Sequence, residues 1–319
     1  MATTLNWRTY LTPFVRILLI AAAYFLSGFL GCRAGLGGGD ERLVWPPFGI
    51  ALAAILLFGY NYWPAVALGS LLFAFFDGLP LGAFTFGIVV GNTVSAVLCA
   101  YLLERFVQFR NSLERVRDVA GLVTLAAVLG TAVCATFDVV TLAYSTGKIV
   151  GESDLLPELI RSWVPNAMAV MVVTPVLLTW GTVQSGSGPK GRVIERVLCW
   201  IGLLIAVNIS LSSWFTYGVA SYPMAFLPYP FLVWIALRFG QRGATVGTLL
   251  IAAAAIYGLQ HGKGPFMADK EEQRLVLIIS YMGVLSITNL TLAAGASERR
   301  WVEDTLRRRL DELTAALGR

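Results

Sequence analysis

Charge is scarce in this chain. Only 13% of its 319 residues are Asp, Glu, Lys or Arg, about half the share found in an ordinary soluble domain. Too few polar side chains are present to clothe a water-facing surface, which excludes a soluble enzyme. Metal-binding side chains are equally sparse. One histidine, His261, sits beside Lys263, and the four cysteines, Cys32, Cys99, Cys134 and Cys199, are far apart with no Cys-x-x-Cys pair. A haem or metal centre and a disulfide framework are therefore not indicated. His-Glu-x-x-His, Gly-x-Ser-x-Gly and paired intramembrane aspartates are missing too, so a membrane-embedded enzyme would have neither nucleophile nor metal. The run Gly35-Leu36-Gly37-Gly38-Gly39 lacks the Lys-Ser/Thr of a phosphate loop and reads as a linker. Phe29-Leu30-Gly31-Cys32 resembles a lipoprotein cleavage box without its small residue two before the cysteine, so the first apolar run reads as an uncleaved span.

What is present is apolar. Hydrophobic residues make up 57% of the chain and the mean hydropathy is +0.71. At roughly 17–25 apolar residues per span, ten segments qualify, approximately 11–32, 43–59, 61–77, 80–103, 118–146, 162–181, 195–216, 223–238, 243–261 and 275–295. The second, third and eighth are short and bounded by Trp45-Pro46-Pro47, Trp63-Pro64 and Leu227-Pro228-Tyr229-Pro230, so a count of eight with two broken helices is the rival. The expected fold is all-α, a polytopic transmembrane bundle of 8–10 spans over residues 1–296, followed by a cytoplasmic helix over 297–319. Gly87, Gly91 and Ser95, like Gly243 and Gly247, recur at four-residue spacing, the pattern of close helix packing.

The formal charge is +5 and the pI about 9.1. With a cytoplasmic N-terminus, 16 of the 24 basic residues fall in inner segments and seven in outer loops, where nine acids outnumber them. Positive-inside bias accounts for this, rather than nucleic-acid binding, and places both termini in the cytoplasm with 148–161 outside.

An ionisable residue within a span costs roughly 2.5–3.5 kcal/mol on insertion scales, so Asp138 in the fifth segment calls for a reason. Two readings are open: a functional site, or a structural pair with Arg33, Arg42 or Arg161. Trp45, Asn92 and Asn166 fall at similar depth, in the outer half or near the midplane. With Asp138 they are expected to line an outward-facing, mainly apolar cavity suited to a small molecule or a partner's helix. Taken singly, Trp45 also fits an interfacial belt, and Asn92 and Asn166 fit interhelical hydrogen bonding.

Charge density rises from Ser297 onward, and Leu306, Leu310, Leu313 and Leu317 fall on one helical stripe, a coiled-coil seam to be covered by a second copy or a following segment. The roughly 23 residues after Ala296 are too few for a kinase or cyclase domain of about 50–200 residues.

Four stretches carry a resemblance: Trp45-Pro-Pro-Phe-Gly-Ile-Ala-Leu-Ala-Ala-Ile-Leu-Leu-Phe-Gly59 with Trp63-Pro64 and Gly69; Gly91-Asn92-Thr93; Thr174-Pro175 before Leu177-Leu178-Thr179-Trp180; and Trp234-Ile-Ala-Leu-Arg-Phe-Gly240 with Gly264-Pro-Phe266. Together they resemble the first type of the membrane-associated sensor (MASE) domains, N-terminal input modules of bacterial histidine kinases and diguanylate cyclases, over roughly residues 15–300. Trp163-Val164-Pro165-Asn166 carries an amide where family members tend to have an acid. The resemblance implies a sensory module, and the residues read above for it, Trp45, Asn92, Asp138 and Asn166, together with Trp163, are the candidate ligand-binding residues. Its expected associations are the bilayer, a homodimer through the C-terminal helix, and a small ligand or membrane partner, with no cofactor or metal assigned. The alternative is a small-solute transporter, although Trp45-Pro-Pro has no counterpart in the second half and a carrier has no use for a terminal leucine seam.

Overall fold

The computed structural model describes residues 13–33, 43–79, 82–146, 152–183, 193–211, 224–266 and 271–317. The glycine run 35–39, Arg42, Lys148, Lys190 and Arg192 lie outside them, as does the side chain of Leu317. Every regular element among the described residues is helical. They are α1 (Pro13–Arg33), α2 (Pro46–Phe58), α3 (Trp63–Phe76), α4 (Ala83–Leu102), α5 (Val116–Gly121), α6 (Thr131–Thr146), α7 (Glu152–Gly181), α8 (Val193–Leu211), α9 (Tyr229–Gln260) and α10 (Glu271–Leu317). Wide π turns extend α4 through Leu103–Val107 and join α5 to α6 through Leu122–Gly130. Among the described residues, seven helices are long and apolar enough to cross a membrane. Helices α2 and α3, of 13 and 14 residues, reach only about 20 Å at 1.5 Å per residue, short of a hydrocarbon core about 30 Å thick.

Two boundaries differ from the sequence reading. The stretch to Arg161, expected as loop, is helical from Glu152. No glycine occurs between 152 and 180 to interrupt the helix. Conversely, α9 is a hairpin rather than one rod. Gly240 adopts φ 69°, ψ −161°, a left-handed φ that side chains disfavour. A methyl group added at Gly247 would meet the Leu232 side chain at 2.7 Å, whereas a straight helix would separate these residues by about 22 Å along its axis. The arms 229–239 and 241–260 thus fold back on each other, matching the two separate segments expected there.

The chain forms two compact units. One comprises residues 1–102 and 125–174, the other 103–124 and 175–319. The chain passes between them at three places, at the two π turns and at Pro175 within α7.

In the first unit α1 packs on α2 and α3, and α4 packs on α2, α3 and α6. Small residues permit the close approach. Methyl groups added at Gly69 and Gly91 would run into Tyr24 and Phe137 at 2.7 Å, so the glycine spacing in α4 is a packing device. Helix α2 opens with Pro46-Pro47 at its first positions, where a missing N–H costs nothing. The Trp45 N–H donates to the Pro165 carbonyl at 2.9 Å, and Thr174 Oγ1 to the Gly49 carbonyl at 3.1 Å. These two bonds fasten α2 along α7.

In the second unit α9 packs on α8 and α10, and α10 on α5. The segment before α5 is pinned from several directions. Arg115 holds the fully buried Asp118 carboxylate with two hydrogen bonds of 2.8 and 2.7 Å, and Leu113 is wholly buried. The buried Gln241 Nε2 donates both to the Leu113 carbonyl and, at 3.2 Å, to the Leu290 carbonyl of α10. Helix α10 runs unbroken past Ser297. Its 47 residues give about 70 Å of helix, more than twice what the hydrocarbon core requires. Residues 301–315 are exposed throughout.

Candidate functional site

Within the first unit, α1, α3, α4, α6, α7 and the start of α2 surround a cavity of about 370 Å³. Four of the five residues singled out in the sequence, Trp45, Asn92, Asp138 and Asn166, line it. The fifth, Trp163, does not. Its indole N–H donates to the Val128 carbonyl at 3.1 Å, so this side chain ties α7 to the π turn before α6. Consecutive positions along a helix are about 100° apart, and residue 163 therefore cannot share a face with both Ser162 and Asn166.

Polar side chains at four-residue spacing build the wall. Cys134 and Asp138 share one face of α6, and Ser162 and Asn166 one face of α7. The Ser162 hydroxyl donates to Asp138 Oδ2 at 2.5 Å. Asn166 Nδ2 donates to the Ser162 carbonyl at 3.1 Å and contacts Cys134 Sγ at 3.8 Å. The Cys134 thiol in turn donates to Asn92 Oδ1 at 3.5 Å, and Asn92 Nδ2 to Ser70 Oγ at 3.4 Å. A chain of weak bonds thus links α7, α6, α4 and α3 behind the cavity, holding both asparagines in fixed orientations. Asp138, the costly intramembrane acid, is half-buried beside open space and has a hydroxyl partner, two features that lower the penalty of a charge in an apolar layer. Arg161 forms an ion pair with Glu158 at 3.3 Å, and the Arg33 guanidinium lies 4.1 Å above the Phe29 ring.

The remaining wall is aromatic and aliphatic. The Trp45 ring meets Phe73 edge-on at 5.0 Å between centroids, Tyr24 lies beside Ser70 and Trp45, and Phe84, Ile88, Val139 and Leu142 complete the apolar surface. Asp77, Glu158 and Arg161 also line the cavity, and all three retain contact with solvent. The arrangement has the form of a small-molecule site, apolar walls with a few convergent polar groups.

Sequence reasoning overlooked Tyr24, Ser70, Cys134 and Ser162. The four-residue spacings Cys134/Asp138 and Ser162/Asn166 were a usable signal for two of them. Tyr24 and Ser70 carry none, because a single tyrosine or serine in an apolar helix is ordinary. No group of three or more His, Cys, Asp or Glu side chains able to hold a metal occurs among the described residues. His261 is exposed in the turn after α9, its Nδ1 2.8 Å from the Tyr257 carbonyl.

The family model for MASE1, the membrane-associated sensor 1 domain, matches residues 16–300. The chain therefore belongs to that family, whose domains are membrane-associated sensory modules of signalling proteins. No curated protein and no solved structure is significantly similar to it.

Proposed function

We propose that this MASE1 chain is the input half of a transmembrane receptor, one that takes a small molecule into the cavity around Asp138 and reports its occupancy through α10 to a cytoplasmic kinase or cyclase. The observation that carries the reading is the convergence of Tyr24, Trp45, Asn92, Asp138 and Asn166, from five separate elements, on one cavity. Side chains that only glued helices together would pair off and leave no such space. Three stretches of continuous helix lead from the cavity unit into the unit that contains α10. A displacement of α4, α6 or α7 by ligand therefore has a covalent route to the output helix. The exposed leucines of α10 would meet their counterparts in a second copy, making the signalling unit a dimer in the bacterial inner membrane with both termini cytoplasmic.

The test uses the chain joined through α10 to a diguanylate cyclase or histidine kinase. Blocking the cavity with Ser70→Leu, and removing its charge with Asp138→Asn, should each fix the output in one state. Thr136→Ala, an exposed position on α6, should leave regulation intact. Membrane-inserted cavity variants whose output still follows the stimulus would overturn the reading.

A further inference from the structure

Helix α10 is gripped along one face and then let go. Asn289, Ala293, Ser297 and Arg300 follow at spacings of four, four and three and so share a face. Asn289 Nδ2 donates to the Ala244 carbonyl and to Thr248 Oγ1, both at 2.8 Å, Gln241 Nε2 donates to the Leu290 carbonyl at 3.2 Å, and Ala293 packs against Ala236 and Ala244. Arg300 closes the row. Its Nη2 donates to the Leu237 carbonyl at 2.6 Å, and its Nε to the Ala296 carbonyl of its own helix at 3.1 Å. From 301 to 315 every residue is exposed.

We infer that Arg300 is a latch on the output helix: when its bond to Leu237 opens, α10 bends at Gly295–Ser297 and swings the leucine stripe below. The inference rests on α10 being the output element and is independent of what fills the cavity.

The grip is divided between the two arms of α9. Asn289 and Leu290 are held by Ala244, Thr248 and Gln241, all in the second arm, whereas Arg300 is held by Leu237 in the first. The arms meet at Gly240, whose φ of 69° is open to glycine at no steric cost. A shift of the first arm against the second therefore draws Leu237 away from Arg300 and leaves the upper bonds in place. The bonds also differ in strength. Those of Asn289 and Gln241 are buried, where water cannot take over either partner. The Arg300 bond is exposed, so water competes for it and it opens first. Leu237 stands in the last turn before the reversal, a helix end whose carbonyls favour a cation, so the latch also recloses.

The joint lies between seam and latch. A methyl group added at Gly295 would meet Val116 Cγ2 at 3.9 Å, an ordinary contact, whereas at Gly243 and Gly247 it would collide at 2.9 and 2.7 Å. Packing thus calls for glycine at 243 and 247 but not at 295, where its effect is to weaken the helix. Two residues on, the Ser297 hydroxyl donates to the Ala293 carbonyl at 2.8 Å, a back-bond that eases helix bending. Over the ~30 Å of helix below the joint, a bend of about 10° moves the far end by about 5 Å.

The test uses the whole chain joined through α10 to a diguanylate cyclase, read without any stimulus on equal amounts of membrane-inserted protein whose folding is verified by thermal unfolding. Arg300→Ala should change the cyclase rate by about fivefold or more, while Arg300→Lys, which keeps a cationic donor, should stay within about twofold of native. Gly295→Ala stiffens the joint. Added to Arg300→Ala, it should return the rate to within about twofold of native, although it restores no bond to Leu237. An unchanged rate in Arg300→Ala, an Arg300→Lys chain as altered as Arg300→Ala, or a double variant as altered as the single one overturns the latch. If any of these occurs while Ser70→Leu and Asp138→Asn still fix the output, the receptor reading stands without the latch. Cavity variants that respond normally overturn that reading and leave the latch result as measured.

Discussion

The Ser162 hydroxyl lies 2.5 Å from Asp138 Oδ2 and so couples α7 to α6 at the cavity wall. A neutral donor to a carboxylate is a strong bond in a low-dielectric setting, worth about 1.5–3 kcal/mol. Ser162→Ala should therefore destabilise the protein by about that amount, read as a fall in its thermal unfolding temperature in detergent. Asp138→Asn keeps an acceptor for the same hydroxyl and should cost less than Ser162→Ala. A larger loss in Asp138→Asn would mean that the negative charge itself is structural, and the site reading of Asp138 would lose its basis.

Trp163 supplies the control. Its indole is engaged with the Val128 carbonyl and does not line the cavity. Trp163→Phe removes one neutral hydrogen bond, at a cost of about 0.5–1.5 kcal/mol, and should leave the stimulus response of a cyclase or kinase joined through α10 unchanged. Trp45→Phe, by contrast, alters a ring that lines the cavity and should weaken that response. Equal effects of the two substitutions on the response would break the distinction drawn between them.

Gln241 bridges two carbonyls, Leu113 before α5 and Leu290 in α10. It is 1% exposed, and no water can replace the amide without entering the packed interior. Gln241→Leu should cost roughly 1–3 kcal/mol and loosen the segment that Leu113 anchors. Trypsin digestion in detergent checks this, since Arg110, Arg115 and Arg117 stand in that segment. Cleavage there should accelerate in the variant, and an unchanged rate would mean that the Arg115–Asp118 pair alone holds the segment.

Much of this architecture was legible because apolar runs, prolines and charge bias act locally and one segment at a time. The reversal at Gly240 is an example: two apolar arms around Arg238, Gly240 and Arg242 could be separated without knowing what either touches. The cavity was legible in part. Asp138, Asn92 and Asn166 are conspicuous because a polar group in an apolar segment is costly wherever it points, and Trp45 because it precedes two prolines. Whether such residues meet depends on helix rotation, which one sequence does not encode in any single segment, and Trp163 falls outside the cavity lining for that reason. The first turns of α7 were hidden by their charge, which reads as loop.

The distribution of basic residues predicts that the beginning of α7 faces the outside. Leu156 is 64% exposed there, and Leu156→Cys offers a thiol away from the cavity. A membrane-impermeant maleimide should label it in intact spheroplasts, whereas a cysteine at Leu306 should react only after the membrane is opened. The opposite pattern would reverse the orientation, putting the α10 leucines outside and removing the proposed output route.

The last expectation concerns those leucines. Leu306, Leu310 and Leu313 lie on one stripe of α10 and are 59%, 61% and 59% exposed. Flanking charges pair within the helix, Arg299 with Glu303 at 2.9 Å and Arg309 with Glu312 at 3.5 Å. An apolar stripe held in water by charged flanks gains from burial against another helix, and spacings of four and three are those of a two-stranded seam. Two heptads alone are marginal, so pairing should depend on the membrane domains bringing the helices together and should be weak in an isolated α10 peptide. In membranes, Leu310→Cys should form a disulfide-linked dimer under mild oxidation, and Arg308→Cys, off the stripe, should form much less. Leu306→Asp combined with Leu313→Asp should abolish the Leu310→Cys cross-link without reducing the amount of protein in the membrane. Equal cross-linking at positions 308 and 310 would indicate random collision rather than a seam, and the dimeric output helix would have to be abandoned.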